Sequence, residues 1–255
     1  MESQKIGEMK KYFLKNNYVL IFSILTLVAI CFFIMGVSKI NLGNNFIGQI
    51  LSLLPVEIWF LLILSLASSS VLAYYEKYKF IVLPIFIWLL IFTVQFRTSN
   101  IPQLIDITTK EYTLGPDLDP FLYLRLAKDI NQGKLPEIDY MRGAPLGTQN
   151  YAKVSLTPWT ILGIFKIISI FTNLSLTYAA IITPVIFFII SLIGFFLFIK
   201  TIFSFKLNNI KSSIIALIAS IFYSFSPQMI HRTTGGIPEI ESLGMAFFWF
   251  AFLFF

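Results

Sequence analysis

The chain has 255 residues, of which 57% are apolar and 13% charged, with a mean hydropathy of +0.81. Water-soluble domains carry roughly 25% charged residues, so a soluble globular fold is excluded and an all-α polytopic membrane protein is expected. The formal net charge of +6 does not point to nucleic acid, because the lysines gather at the ends of apolar runs, where cytoplasmic loops collect them.

Residues 1–17 carry Lys5, Lys10, Lys11 and Lys15, which predicts a cytoplasmic N-terminus. No cleavable leader is expected, since the first apolar run follows this polar start and is long enough to span. That run covers 18–37. Cys31, the single cysteine, lies inside it, so no internal disulfide is expected. A short polar stretch at 38–45 follows on the outer side. A second span is expected at 58–75, ending at the charged loop Glu76-Lys77-Tyr78-Lys79. A third, at 80–96, returns to the outside. Residues 97–157 then form a long first extracytoplasmic loop holding seven of the thirteen acids.

Two apolar runs follow, 159–171 and 179–199, before Lys200, Lys206 and Lys211 mark a cytoplasmic loop. Starting outside and ending inside requires an odd number of crossings. The first run is short and carries Lys166, so it reads as an amphipathic helix in the outer interface, and the second as the span. Residues 214–225 and their flanks cross outward again. The final apolar segment, 243–255, is short for a complete span and reads as a helix cut partway. The chain thus divides into three spans over 1–96, the loop and interfacial helix over 97–175, and further spans over 176–255.

The candidate chemistry lies in two acidic clusters, with no acid between Asp139 and Glu239. Gly115-Pro116-Asp117-Leu118-Asp119-Pro120 is turn chemistry, followed by a short helix over 121–131 that Gly133 closes. Asp119 is expected to cap that helix, and capping alone would account for it. Downstream, Asp139, Arg142 and Pro145-Leu146-Gly147 form a Gly/Pro-rich surface segment in which Arg142 has the geometry for a carboxylate or phosphate.

The second cluster is His231-Arg232-Thr233-Thr234-Gly235-Gly236-Ile237-Pro238-Glu239-Ile240-Glu241. Arg232 stands at the outer end of a span, Gly235-Gly236 permits a tight turn, and Pro238 starts a helix with Glu239 and Glu241 in its first turn. Acids there are favoured by the positive helix end, which is a structural reason for them. The functional reason is an oxygen-rich site for Mg²⁺ or Mn²⁺, built from Asp119, Glu239 and Glu241. His231, the only histidine, reads as an interfacial polar residue rather than a ligand.

Taken together and in this order, the motifs resemble the catalytic subunit of oligosaccharyltransferase, including its single-subunit archaeal and bacterial forms. Asp119-Pro120-Phe121-Leu122-Tyr123-Leu124-Arg125 is similar to that family's first-loop motif. Asp139, Arg142 and Pro145-Leu146-Gly147 mirror a later Asp…Arg…Pro-Leu-Gly, and Arg232 keeps the family spacing to Glu239. The resemblance covers roughly residues 115–255. Departures are a Glu at 239 where Asp is usual, two additional spans before the usual first one, and no Trp-Trp-Asp acceptor-binding motif.

The resemblance implies a GT-C-like transmembrane helix bundle with an extracytoplasmic catalytic face, multi-pass in the cell membrane. It implies transfer of a glycan from a lipid-linked (pyro)phosphate donor to the Asn amide of an Asn-x-Ser/Thr sequon. The cofactor would be Mn²⁺ or Mg²⁺. Asp119 would ligate the metal and contact the acceptor amide, Glu239 would be a second ligand, and Glu241 would act through water or pair with Arg232. Lys153 or Arg142 would help hold the anionic carrier. Two readings compete: another polyprenyl-phosphate-dependent glycosyltransferase, such as a protein mannosyltransferase, and a non-enzymatic polytopic protein such as a transporter or assembly subunit.

Overall fold

The computed structural model describes residues 2–37 and 55–255; the expected outer stretch at 38–45 lies outside them. Helix α1 (Glu2–Val37) joins the lysine-bearing start and the first span in one element. Helix α2 (Val56–Tyr74) starts behind Pro55, whose carbonyl accepts from the amides of Ile58 at 3.0 Å and Trp59 at 3.3 Å. A proline suits that place because it has no amide hydrogen to leave unpaired. After a 3₁₀ turn (Tyr78–Phe80), helix α3 covers Leu83–Thr98.

The chain packs as two compact units, one of Met1–Phe92 with Ile202–Ile218 and one of Thr93–Thr201 with Ala219–Phe255. In the first, Phe32 of α1 stacks on Trp59 of α2 at 5.8 Å between ring centres. The Trp88 indole NH donates to the Ile58 carbonyl at 3.0 Å. Three of the four serines of α2 bend back on their own helix: Ser65, Ser68 and Ser69 donate to carbonyls four residues earlier at 2.8, 2.8 and 3.0 Å, while Ser70 pairs with Ser23 of α1 at 3.4 Å. In an apolar setting the bond back satisfies a hydroxyl without a partner helix.

The second unit carries the polar loop. Helix α4 (Leu118–Asn131) is followed by a small antiparallel ladder of β1 (Ile138–Asp139) and β2 (Thr148–Gln149), with Ile138 opposite Gln149 and Asp139 opposite Thr148. Helix α5 (Thr157–Ile168) packs on α4, and Tyr123, Leu124, Ala127 and Ile161 share one buried core with Ala180 and Ile181. Helix α6 (Leu176–Ser204) supplies those last two. Helix α7 (Asn209–Phe225) breaks at Ser226, and α8 (Pro227–Thr233) leaves at 64° to it. Helix α9 (Ile240–Phe254) ends the element order. Tyr223 of α7 lies between Phe188 and Phe195 of α6, at 5.7 and 4.5 Å, and its hydroxyl accepts from the Trp249 indole at 3.0 Å.

Among the described residues, four helical stretches are long and apolar enough to cross a membrane: Asn16–Ile34, Val56–Tyr74, Tyr78–Gln103 and Leu176–Ser204. The bent pair α7 and α8 makes a fifth if it counts as one span. The described residues are all-α apart from the β1–β2 ladder and one isolated bridge. Helix α5 has 12 residues, about 18 Å at 1.5 Å per residue, too short for a ~30 Å hydrocarbon core. Helix α6 has 29 residues. The expected contrast between a short first run and a spanning second one therefore holds by length.

Candidate functional site

Helix α4 begins earlier than the sequence suggests, at Leu118, and Asp117 rather than Asp119 is its cap. The Asp117 backbone is extended, and its Oδ1 accepts from the Leu118 amide at 2.8 Å. Proline at 120 is compatible with this start, since the first turn needs no amide donor there. Asp119 therefore sits inside the first turn, exposed to solvent. At the other end Gly133, with φ +67°, closes the helix as expected.

A second boundary also moves. Glu239 is not in the first turn of α9 but caps it with extended backbone, its carbonyl accepting from the Ser242 hydroxyl at 2.9 Å; Glu241 alone occupies the first turn. Arg232 lies near the end of α8, past the 64° break, rather than at the end of a straight span.

The Gly235-Gly236 turn is why these pieces meet. Gly235 NH donates to the Arg97 carbonyl at 2.8 Å, Gly236 NH to the Ile181 carbonyl at 2.9 Å, and Gly115 NH to the Gly236 carbonyl at 2.8 Å. The Asn100 side-chain amide donates to the Gly235 carbonyl at 2.8 Å. Side chains fit poorly here: a Cβ on Gly235 would lie 3.2 Å from the Arg97 carbonyl oxygen, and one on Gly236, whose φ is +91°, would run into Leu104 Cδ1. The acidic loop before α4 is thus bonded directly to the turn before α9.

Around this junction Glu239 is 3% exposed and bonds Arg232, while the Arg232 Nη1 is 3.9 Å from Glu241 Oε1. Asp117 and Glu241 are the two acids that act on the Glu239 carboxyl. Burial raises the Glu239 carboxyl to about 7; Asp117 and Glu241 push it the same way, and Arg232 opposes them. Tyr123, buried on α4, has its hydroxyl pKa raised by burial first, then by Tyr151, Asp119 and Glu241. Its phenol therefore stays neutral. The Arg232 guanidinium thus feels Glu239 first, then Glu241 and Asp117, while the Tyr123 phenol feels Asp119 and Glu241.

That donor set fits a hard divalent cation in kind, being all carboxylate oxygen with an excess of negative charge. Among the described residues, no three His, Cys, Asp or Glu side chains are grouped closely enough to hold a metal ion, and Arg232 occupies one oxygen of Glu239.

The downstream segment is built for rigidity. Asp139, 1% exposed, is held bidentately by Arg125, with Nη1 to Oδ1 at 3.1 Å, and its Oδ1 also accepts from the Met141 amide at 3.1 Å. The Arg125 guanidinium holds the Asp139 carboxyl below the usual carboxylate range. Arg142 stands 4.9 Å over the Tyr151 ring, and Lys153 bonds Glu137 at 3.2 Å. His231 is exposed at the end of α8.

Two residues at the junction are not in the sequence-derived set. Asp117 is an acid of the right motif at the wrong offset; its signal was the Gly-Pro before it, which places a cap there as readily as two residues later. Arg97 is fully buried beneath the turn; its only signal is a charge at the edge of an apolar run. Compared with known protein families, with curated proteins and with solved structures, the chain finds no match in any of the three.

Proposed function

We propose that the protein is a membrane glycosyltransferase. It moves a glycan from a lipid-linked phosphate or pyrophosphate donor to the Asn side-chain amide of Asn-x-Ser/Thr sequons, at the extracytoplasmic face of the cell membrane. The observation that supports this most is the direct bond between the two acidic segments, Gly115 to Gly236, which ties the loop carrying Asp117 and Asp119 to the turn that leads to the buried Glu239.

In this reading Asp119, Glu239 and Glu241, with Asp117, would be the acids that close on Mn²⁺ or Mg²⁺ when the cation binds, since they are not grouped around a site without it. A bound divalent cation would stabilise charge on the departing phosphate as a Lewis acid. Asp119, exposed on the first turn of α4, is free to accept from the acceptor amide, whose nitrogen is a poor nucleophile while its lone pair is delocalised. Arg232 holds Glu239 and faces Glu241, so it fixes the orientation of both acids and keeps the buried one partnered.

One observation favours a second reading. The Arg232 and Glu239 ion pair is also what a purely structural lock between α8 and α9 would show. Transfer of a labelled glycan from lipid-linked donor to a sequon peptide, measured with the full protein in membranes, separates the two. Asp119→Ala and Glu239→Ala are each expected to lower turnover by about 10²-fold or more, and chelation by EDTA to abolish it until Mn²⁺ is restored. Wild-type turnover in both variants would refute the transferase assignment. Loss of Arg232–Glu239 with unchanged turnover would leave only the lock.

A further inference from the structure

We infer that Arg97 is the positioning residue of this site: its buried guanidinium sets the bend between α7 and α8 and so delivers the Thr233–Glu239 turn to the acidic loop. Arg97 has no exposed surface, and it lies inside a stretch apolar enough to span a membrane, Tyr78–Gln103. A charged side chain in that setting is costly and is retained where it has a task.

Its contacts say what the task is. Nη2 donates to the Ser224 carbonyl at 2.7 Å, at the end of α7, and Nε donates to the Thr233 hydroxyl at 2.8 Å, at the end of α8. Those two partners flank the Ser226–Pro227 break. The carbonyl of the same residue accepts from Gly235, so one residue holds the start of the bend, its end and the turn beyond. The guanidinium carbon sits 3.5 Å over the Phe188 ring centre, which provides a flat, apolar support for a planar cation.

Nη1 is buried with no hydrogen-bond partner among the described residues. A side chain kept for stability alone would be fully satisfied or replaced by an apolar one. The incomplete satisfaction of Arg97 fits a group held for the two bonds that define a conformation. The inference concerns the site proposed above, but the geometry stands whether or not that site transfers glycans.

Disulfide trapping reads it without catalysis. A Cβ on Gly115 would lie 3.0 Å from Ile237 Cγ1, so Gly115→Cys with Ile237→Cys, in a Cys31→Ser background of the full chain, reports the apposition of loop and turn. A second pair, Ile138→Cys with Gln149→Cys across the β1–β2 ladder, reports general folding. Arg97→Gln is expected to slow trapping of the first pair roughly tenfold, the effect of losing one charge-assisted hydrogen bond, and to leave the second pair unchanged. Arg97→Lys should recover part of the rate. Thr233→Val removes the acceptor of Arg97 Nε at the end of α8, together with that hydroxyl's own bond to the Met229 carbonyl within the helix, and should slow the first pair in the same direction; it decides the matter if Arg97→Gln does not fold. Trapping of the first pair within twofold of the parent in Thr233→Val and in any folded Arg97→Gln overturns the proposal. Equal slowing of both pairs does so too, because Arg97 would then be a general folding residue. Failure of glycan transfer with the trapping result intact would strike the transferase reading and leave Arg97 in its role.

Discussion

At the scale of single residues, Glu239 is where burial and charge compete most openly. Its carboxyl is raised from 4.5 to about 7 by burial, against the pull of Arg232. A carboxyl whose folded pKa lies above its unfolded value adds stability that is complete below the unfolded pKa and is lost as pH rises through the folded one. The contribution of Glu239 therefore fades between about pH 4.5 and pH 7, and above that the site carries an ionised, crowded acid. Glu239→Gln cannot ionise and should flatten this dependence, with a higher unfolding temperature than the parent above pH 7 in metal-free buffer. If Glu239 is a ligand of the proposed metal, divalent cation should reverse that order, because only the parent keeps a carboxylate to bind it. Thermal unfolding in detergent from pH 4 to pH 8, with EDTA or with Mn²⁺, is the measurement. A parent whose pH profile matches that of Glu239→Gln would remove the crowded acid from the account.

At the scale of elements, the packing of α9 on α6 turns on one small residue. Gly194 is buried on α6, and a Cβ there would stand 3.0 Å from two ring carbons of Phe250 and 3.2 Å from the Trp249 Cβ. The neighbouring rings are already engaged, with Trp249 edge-on to Phe195 at 4.7 Å and bonded to Tyr223. Gly194→Leu overpacks this contact and should cost about 1–3 kcal/mol, with a shift in Trp249 fluorescence as its indole leaves the Tyr223 hydroxyl. An unshifted spectrum and unfolding temperature would mean that α9 does not seat on Gly194. The apolar runs were legible because a span is a composition signal, and α2, α6 and the shortness of α5 followed from it. The element ends were less legible: whether Asp117 or Asp119 caps α4, and whether Glu239 lies inside or before α9, depends on contacts with Gly236 and Arg232 that lie far off in the chain. Arg97 was hidden for the same reason. It reads as a loop-edge charge until Ser224 and Thr233 close around it.

At the scale of the whole molecule, crossing parity and one hydrogen bond make the same demand. If α1, α2 and α3 cross in turn from a cytoplasmic start, the loop before α4 lies outside. On that same start, with α5 too short to cross, α6 would return inward and the bent pair α7 and α8, counted as one span, would go out again, which would put the Gly235-Gly236 turn outside as well. The Gly115 to Gly236 bond requires those two segments to share a side, and an even number of crossings between them satisfies it. Counting α5 as a span would place them on opposite faces and break the bond. Single cysteines in a Cys31→Ser background test this with a membrane-impermeant maleimide. Thr109→Cys and His231→Cys, both at exposed positions, should label from outside intact cells. Lys77→Cys and Lys206→Cys, also exposed, should label only after permeabilisation. Reversal of all four would invert the orientation and leave the junction intact, because it turns on shared sidedness and not on which side. Labelling of Thr109→Cys and His231→Cys from opposite faces is incompatible with the Gly115 to Gly236 bond, and the acids would then have no common site in which to act.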